Sequence, residues 1–165
     1  MIFADLVAGS AIFLDANILV FHFQPHAVFG QACTDLLKRI ENQQLTGYIS
    51  THVLSEVAHR LMTFEASMVF GWPSKIVNHL KQNPGAIQQL TRFRGALQKI
   101  PQMGIQILAI PTLMVETAAG ISQQNGLLTN DALIVAVMQA NAITNLASED
   151  RDFDRVPGIT RYAPV

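Results

Sequence analysis

Short apolar runs alternate with longer segments of helical period along this chain. Ala11 to Leu14 reads as a short buried strand, and a helix is predicted from near Asn17. A second helix is predicted over about 28–41, with Leu36, Leu37 and Ile40 at helical spacing. Gly47 to Ser50 reads as the next strand. Ser50 or Thr51 then offers an N-cap for a helix carrying Val53, Leu54, Val57, Ala58 and Leu61. Breaks at Gly71-Trp72-Pro73-Ser74, with Ser74 as a cap, and at Asn83-Pro84-Gly85 separate predicted helices over 74–82 and 85–99. Ile105 to Ile110 reads as a strand that Pro111 ends. A helix over 112–124 closes at Asn125-Gly126, and Thr129 or Asn130 caps a helix with its apolar body at Ala132 to Ala140. Residues 142–147 and 159–162 read as the last strands. Strands alternating with helices predict an α/β domain with a central, mainly parallel sheet and helices on both faces.

Composition narrows this reading. A chain of 165 residues, half of them apolar, suits one domain over 1–165 with a substantial core. Its middle, about 64–103, is helical and enlarged. Asp5 and Asp15 interrupt the apolar N-terminal segment, which has no early Lys or Arg, so a signal peptide is not expected. No charge-free stretch is long enough for a membrane span. Cys33 is the only cysteine, which excludes an intrachain disulfide and fits a reducing, cytoplasmic setting. The net charge of −1 argues mildly against a generic nucleic-acid binder. Committing four acids to metal, however, leaves the remainder with a basic excess of three.

Four acids stand where the apolar runs end or the helices begin. Asp15 closes the first strand, Glu56 lies in the second turn of its helix, Asp131 opens the apolar segment after it, and Asp150 follows the fourth strand. Parallel strands place their carboxyl ends along one sheet edge, where open α/β folds bind ligands. Each acid alone reads equally as a helix cap or a first-turn residue favoured by the helix dipole. Together they predict one cluster. Gathered carboxylates need positive charge between them, and Mg²⁺ or Mn²⁺ prefers such oxygen ligands. Asn17 and Ser148 are candidates for support, and each reads alternatively as an ordinary turn residue.

Other chemistry is weaker. His52, Glu56 and His59 share a helical face, but not at the zinc-enzyme spacing. Pro25 separates His22 from His26. His52 and His59 read as surface or packing residues, and Cys33 as a small core residue. Arg92, Arg94 and Lys99 form a modest basic cluster suited to solvent or to an RNA backbone. Met62, Phe64, Met68, Phe70 and Trp72 are denser than a solvated helix needs, and suit core or a partner surface.

Ile12-Phe13-Leu14-Asp15-Ala16-Asn17-Ile18-Leu19 resembles the opening motif of PIN-domain ribonucleases. Thr51 to Glu56 resembles the second acidic motif, Leu128 to Ile134 the third, and Leu146 to Phe153 the fourth, with Ser148 where the family often has Thr. Val156-Pro157-Gly158-Ile159 and Pro164 resemble the family's ending. The resemblance spans about 11–164 and is poorest at 64–103. It implies a PIN-like three-layer domain with Asp15, Glu56, Asp131 and Asp150 as catalytic metal ligands. Asn17 and Ser148 would support them, and Asp152 would be an outer ligand or orient the loop. It further implies endonucleolytic cleavage of RNA dependent on Mg²⁺ or Mn²⁺. Small members resemble the VapC-type toxins of toxin–antitoxin pairs, which implies a protein antitoxin and a homodimer. Attack by water would leave a 5′-phosphate. The route through the RNA 2′-hydroxyl needs a pair of histidines that this sequence does not offer.

Two other readings compete. A non-catalytic PIN-like scaffold or RNA-binding module has no need to keep four mutually repelling carboxylates. A haloacid-dehalogenase-like phosphatase also places Asp after its first strand, but its second Asp would fall at Asn17.

Overall fold

The computed structural model describes residues 1–165. Five strands form one sheet in the order β3-β2-β1-β4-β5, and every pairing is parallel. They are β1 (Ala11–Leu14), β2 (Thr46–Ser50), β3 (Gln106–Leu108), β4 (Asn145–Ala147) and β5 (Thr160–Tyr162). The order reverses at β1: the chain first builds outward through β2 and β3, then returns to place β4 on the other side. That reversal opens a crevice at the carboxyl ends of β1 and β4, the usual ligand position in such sheets.

Parallel strands require crossover connections, and helices supply them. These are α1 (Ala16–Phe23), α2 (Gly30–Glu41), α3 (Thr51–Phe70), α4 (Ile76–Gln82), α5 (Pro84–Ile87), α6 (Arg92–Lys99), α7 (Thr112–Asn125) and α8 (Thr129–Ala140). The central strand is buried on both faces: Ile12, Phe13 and Leu14 are fully enclosed. α8 is enclosed nearly all round, with Ala132 to Met138 buried without interruption. This explains its weak amphipathic pattern, since a helix buried on every side needs no polar face. Cys33 is a buried core residue. No helix is long and apolar enough to cross a membrane.

Several local expectations are corrected. Ser74 does not cap α4. Lys75 takes the N-cap position in a left-handed conformation, φ 52° and ψ 33°, with no side-chain cap bond. The helix read over 85–99 is two helices, with a break at 88–91. Glu65 of α3 causes it: one carboxylate oxygen accepts the N–H groups of Thr91 and Arg92, and the other that of Phe93, each at 2.9 Å. A buried acid from another helix thus satisfies the first donors of α6 and fixes where it begins. Neither Thr129 nor Asn130 caps α8, because the helix starts one residue earlier, after Leu128. The strand expected over 142–147 begins only at Asn145, because Ala142 adopts φ 53° in the turn leaving α8.

The segment between α3 and β3 forms a small second core. Ala66, Leu80, Ala86 and Leu90 are buried together, with Met62, Phe70 and Trp72 packed against them. Trp72 stacks on Phe70 with ring centroids 4.7 Å apart and on His79 at 4.9 Å, which ties α4 to the end of α3. Phe64 and Met68, on the same helix, remain exposed.

Candidate active site

The site is built at the strand-order reversal. Asp15 follows β1 and is the N-cap of α1, its Oδ1 accepting the Ala16 N–H at 2.6 Å. Capping and a site role are therefore not alternatives for this residue. Its Oδ2 accepts from the Ser148 hydroxyl at 2.6 Å and from the Asn17 amide at 2.5 Å. Asp15, Asn17 and Ser148 are all buried. Three donors on a buried carboxylate leave little freedom to its orientation.

The rest of the crevice is assembled around this acid. Asn17 Oδ1 accepts the Glu149 N–H at 3.4 Å, and Ser148 Oγ accepts the Asp150 N–H at 3.0 Å. Asp150 Oδ1 in turn accepts the Asp152 N–H at 2.8 Å, capping the short 3₁₀ turn Arg151–Arg155. Arg161 of β5 donates to the Ser148 carbonyl at 3.1 Å while gripping Asp154 through two nitrogens. The Asp152 carboxylate is engaged by Arg155, which also donates to the Gly126 carbonyl at 3.0 Å. Arg155 thus links Asp152 to the turn ahead of α8.

Glu56 and Asp131 come from the two neighbouring helices. Ser50 caps α3 by accepting the Val53 N–H at 3.2 Å, which starts the helix at the carboxyl end of β2 and puts Glu56 in its second turn. Arg60, one turn on, stands 3.6 Å from Glu56. Asp131 lies in the first turn of α8, which has no side-chain cap.

Electrostatics binds these groups into one system. Burial pushes the Asp15 carboxyl up to about 6, and repulsion from Glu56 and Asp131 adds to it against the bonds from Ser148 and Ala16. Burial also raises Asp131 to about 6, reinforced by repulsion from Asp150, Glu56 and Asp152. Glu56 and Asp131 thus act on Asp15, and Asp150, Glu56 and Asp152 act on Asp131. They do not form a preformed cage: no three acidic, His or Cys side chains stand close enough to enclose one ion. The all-oxygen donor set and its mutual repulsion still suit a hard divalent ion. Mg²⁺ commonly takes one or two carboxylates and keeps water or substrate oxygens as its other ligands.

No histidine is hydrogen-bonded or ion-paired to the four acids. His22 Nδ1 lies 3.0 Å from Thr34 Oγ1, and His26 stacks on Phe29 with centroids 5.0 Å apart. His59 is exposed, and His52 has a buried Nε2 with no hydrogen-bond partner. Two contributors carried no sequence signal. Arg161 and Arg155 fix the Ser148–Asp152 loop through contacts that only the folded chain brings together.

The chain matches the family model for the PIN domain over residues 12–159. The ribonuclease VapC2 of Methanocaldococcus jannaschii is 28% identical over 148 residues, covering 88% of each chain. Ribonuclease VapC6 of the same organism is 28% identical over 152 residues, covering 91% of this chain and 95% of that relative. Among solved structures, the sarcin–ricin-loop-cleaving toxin VapC20 of Mycobacterium tuberculosis superposes with a TM-score of 0.58 at 19% identity, over 87% of this chain and 92% of that one. DNA-bound VapBC from Salmonella typhimurium gives 0.56 at 15% identity, over 97% and 100%. The structural likenesses establish the fold. With the family match running from β1 to the residue before β5, the chain belongs to the PIN-domain family.

Proposed function

We propose that this protein is a divalent-metal-dependent endoribonuclease and the toxin of a toxin–antitoxin pair. The observation that supports the reading is the buried, triply bonded Asp15 at the strand-order reversal, its carboxyl raised by burial and by the nearby Glu56 and Asp131. The similarity to VapC ribonucleases supports the RNA substrate. Structural neighbours that are VapBC complexes support an antitoxin partner. Exposed Leu113, Leu128 and Met68 are apolar surface that a partner chain or a second copy would cover. We extend the proposal to a homodimer, for which light scattering should give twice the 18.1 kDa of one chain.

Asp15, Glu56, Asp131 and Asp150 would hold Mg²⁺ or Mn²⁺, with Asp15 aimed by Ser148 and Asn17. The bound ion would acidify the attacking water and neutralise charge on the scissile phosphate. The residues themselves supply orientation. Ser148 holds the anionic form of Asp15 through one oxygen and the Asp150 backbone through the same hydroxyl. The Asp152–Arg155–Gly126 link keeps the fourth acid's loop beside the start of α8.

The test is incubation of purified protein with structured RNAs in a chelator, in Mg²⁺ and in Mn²⁺, with analysis of the product ends. The reading expects internal cleavage only with metal, leaving linear 5′-phosphates. Metal-independent cleavage to 2′,3′-cyclic phosphates would contradict it, as would hydrolysis of small phosphoesters with RNA left intact.

A further inference from the structure

Beside Glu56 a groove runs between α3 and α4, and the acid site does not use it. Two adjoining cavities of about 450 and 310 Å³ share Arg60, Thr63 and Ile76. Lys75 and Asn78 line the outer one, Phe64 and Ser67 the inner one. No acidic side chain lines either cavity. The groove adjoins Glu56 through Arg60, which lines it and stands 3.6 Å from that carboxylate. Phe64 lies eight residues beyond Glu56, roughly 12 Å along α3 at the helical rise.

We infer that this groove is the path of the single-stranded RNA leading to the catalytic acids. The inference rests on the nuclease reading and assigns the positioning of its substrate. Its chemistry is that of a single-strand channel: cations for the phosphates, with an exposed aromatic face for a base. Arg60 and Lys75 supply the cations, Thr63 and Asn78 supply hydrogen bonds, and Phe64, 43% exposed, supplies the face. Lys75 makes no ion pair, so its charge is available to a ligand. Arg60 is common to both cavities, and its pairing with Glu56 links the groove to the acid site. Lys75 and Asn78 give the groove its outer wall, at the start of α4 and within it.

Lys75 carries a second mark. Its backbone sits at φ 52°, a left-handed conformation that costs a residue with a Cβ and that glycine adopts freely. A strained, unpaired lysine on the groove wall serves binding rather than the fold. The two roles therefore separate in one substitution: Lys75→Gly should raise the melting temperature and yet weaken RNA binding.

The experiment measures anisotropy of a fluorescein-labelled single-stranded uridine dodecamer against full-length protein. All proteins carry Asp15→Asn so that no RNA is consumed. Lys75→Gly and Phe64→Ala should each weaken binding by about fivefold, the loss of one phosphate contact or one stacked base. Lys75→Gly should also flatten the slope of log affinity against log salt by about 0.7. Arg94→Gln, which removes an exposed charge on α6 outside the groove, should change binding little. Unchanged affinity in the groove variants, an equal loss in Arg94→Gln, or no RNA binding by the parent would each overturn the inference. Unchanged affinity would leave the groove to a protein occupant. Cleavage by the wild-type chain is scored separately. Its absence would sink the nuclease reading while the binding contrast still decides the groove.

Discussion

The hydroxyl of Ser148 donates to Asp15 across 133 positions of sequence, with Oγ 2.6 Å from Oδ2. The same oxygen accepts the backbone N–H of Asp150. One small side chain thus joins the acid after β1 to the acid after β4, the two strands that flank the reversal of the sheet.

Removing that hydroxyl should raise the Asp15 carboxyl further, because the Ser148 bond is the strongest influence holding it down. In Ser148→Ala the acid limb of the pH–activity profile is expected to move to higher pH. Stability should fall by about 1.5–3 kcal/mol, the range for a bond to a charged group. Ser148→Thr keeps the hydroxyl and should restore the limb. A profile unmoved in Ser148→Ala would show that this bond does not set the ionisation of Asp15.

Asp15 and Asp131 give the metal-free fold an unusual response to pH. Both carboxyls sit at about 6 in the folded chain, above the ordinary 3.8. The native state therefore holds their protons more tightly than the unfolded chain does. Their ionisation opposes folding at neutral pH, and the penalty fades as pH falls through about 6. For buried Asp15 the shift corresponds to at most roughly 3 kcal/mol. In a chelator, melting temperature should rise between about pH 7 and pH 5. It should fall again at lower pH, where Glu65 and Asp154, held below their ordinary values, take up protons. Asp131→Asn should flatten the rise without lowering stability at pH 7, and should shrink the stabilisation by Mn²⁺. Melts of both proteins with chelator and with Mn²⁺ decide this. An unaltered Mn²⁺ response in the variant would remove Asp131 from the metal site.

Glu65 anchors the start of α6, not the acid site. Burial alone would raise its carboxyl, but the three backbone N–H groups of Arg92, Phe93 and Thr91 together bring it below the usual range. Glu65→Gln keeps an acceptor but loses the charge, and should cost about 1–2 kcal/mol in urea unfolding. Glu65→Ala should cost more and loosen α6, visible as faster amide exchange over 91–95 while the β1 amides stay protected. Equal loss of protection in β1 would show that α6 and the sheet unfold as one unit.

Where a signal was local, the sequence carried it. The run Ala11 to Leu14 ending in Asp15 marks β1, Ser50 marks the start of α3, and Asn125-Gly126 marks the end of α7. Strand ends were less legible. Residues 105–110 shorten to Gln106–Leu108, and 142–147 to Asn145–Ala147, because Ile105 and Ile143 are buried beside the strands without belonging to them. The break before α6 was illegible, since the acid that makes it lies 26 residues earlier, on another helix. The site divides in the same way. Its acids stand at strand ends and helix starts, where a pattern exposes them. Arg155 and Arg161 act through contacts with Gly126 and Ser148 that no spacing along the chain announces.

The central claim is that Asp15 serves metal-dependent RNA cleavage. The most direct measurement is single-turnover cleavage of an end-labelled RNA in Mn²⁺ by wild-type protein and Asp15→Asn, with circular dichroism establishing that both are folded. Asn keeps the shape and can still cap α1, but removes the negative charge offered to the metal. The account expects a folded variant slower by about 10²-fold or more. A folded Asp15→Asn protein that cleaves RNA at the wild-type rate would contradict it.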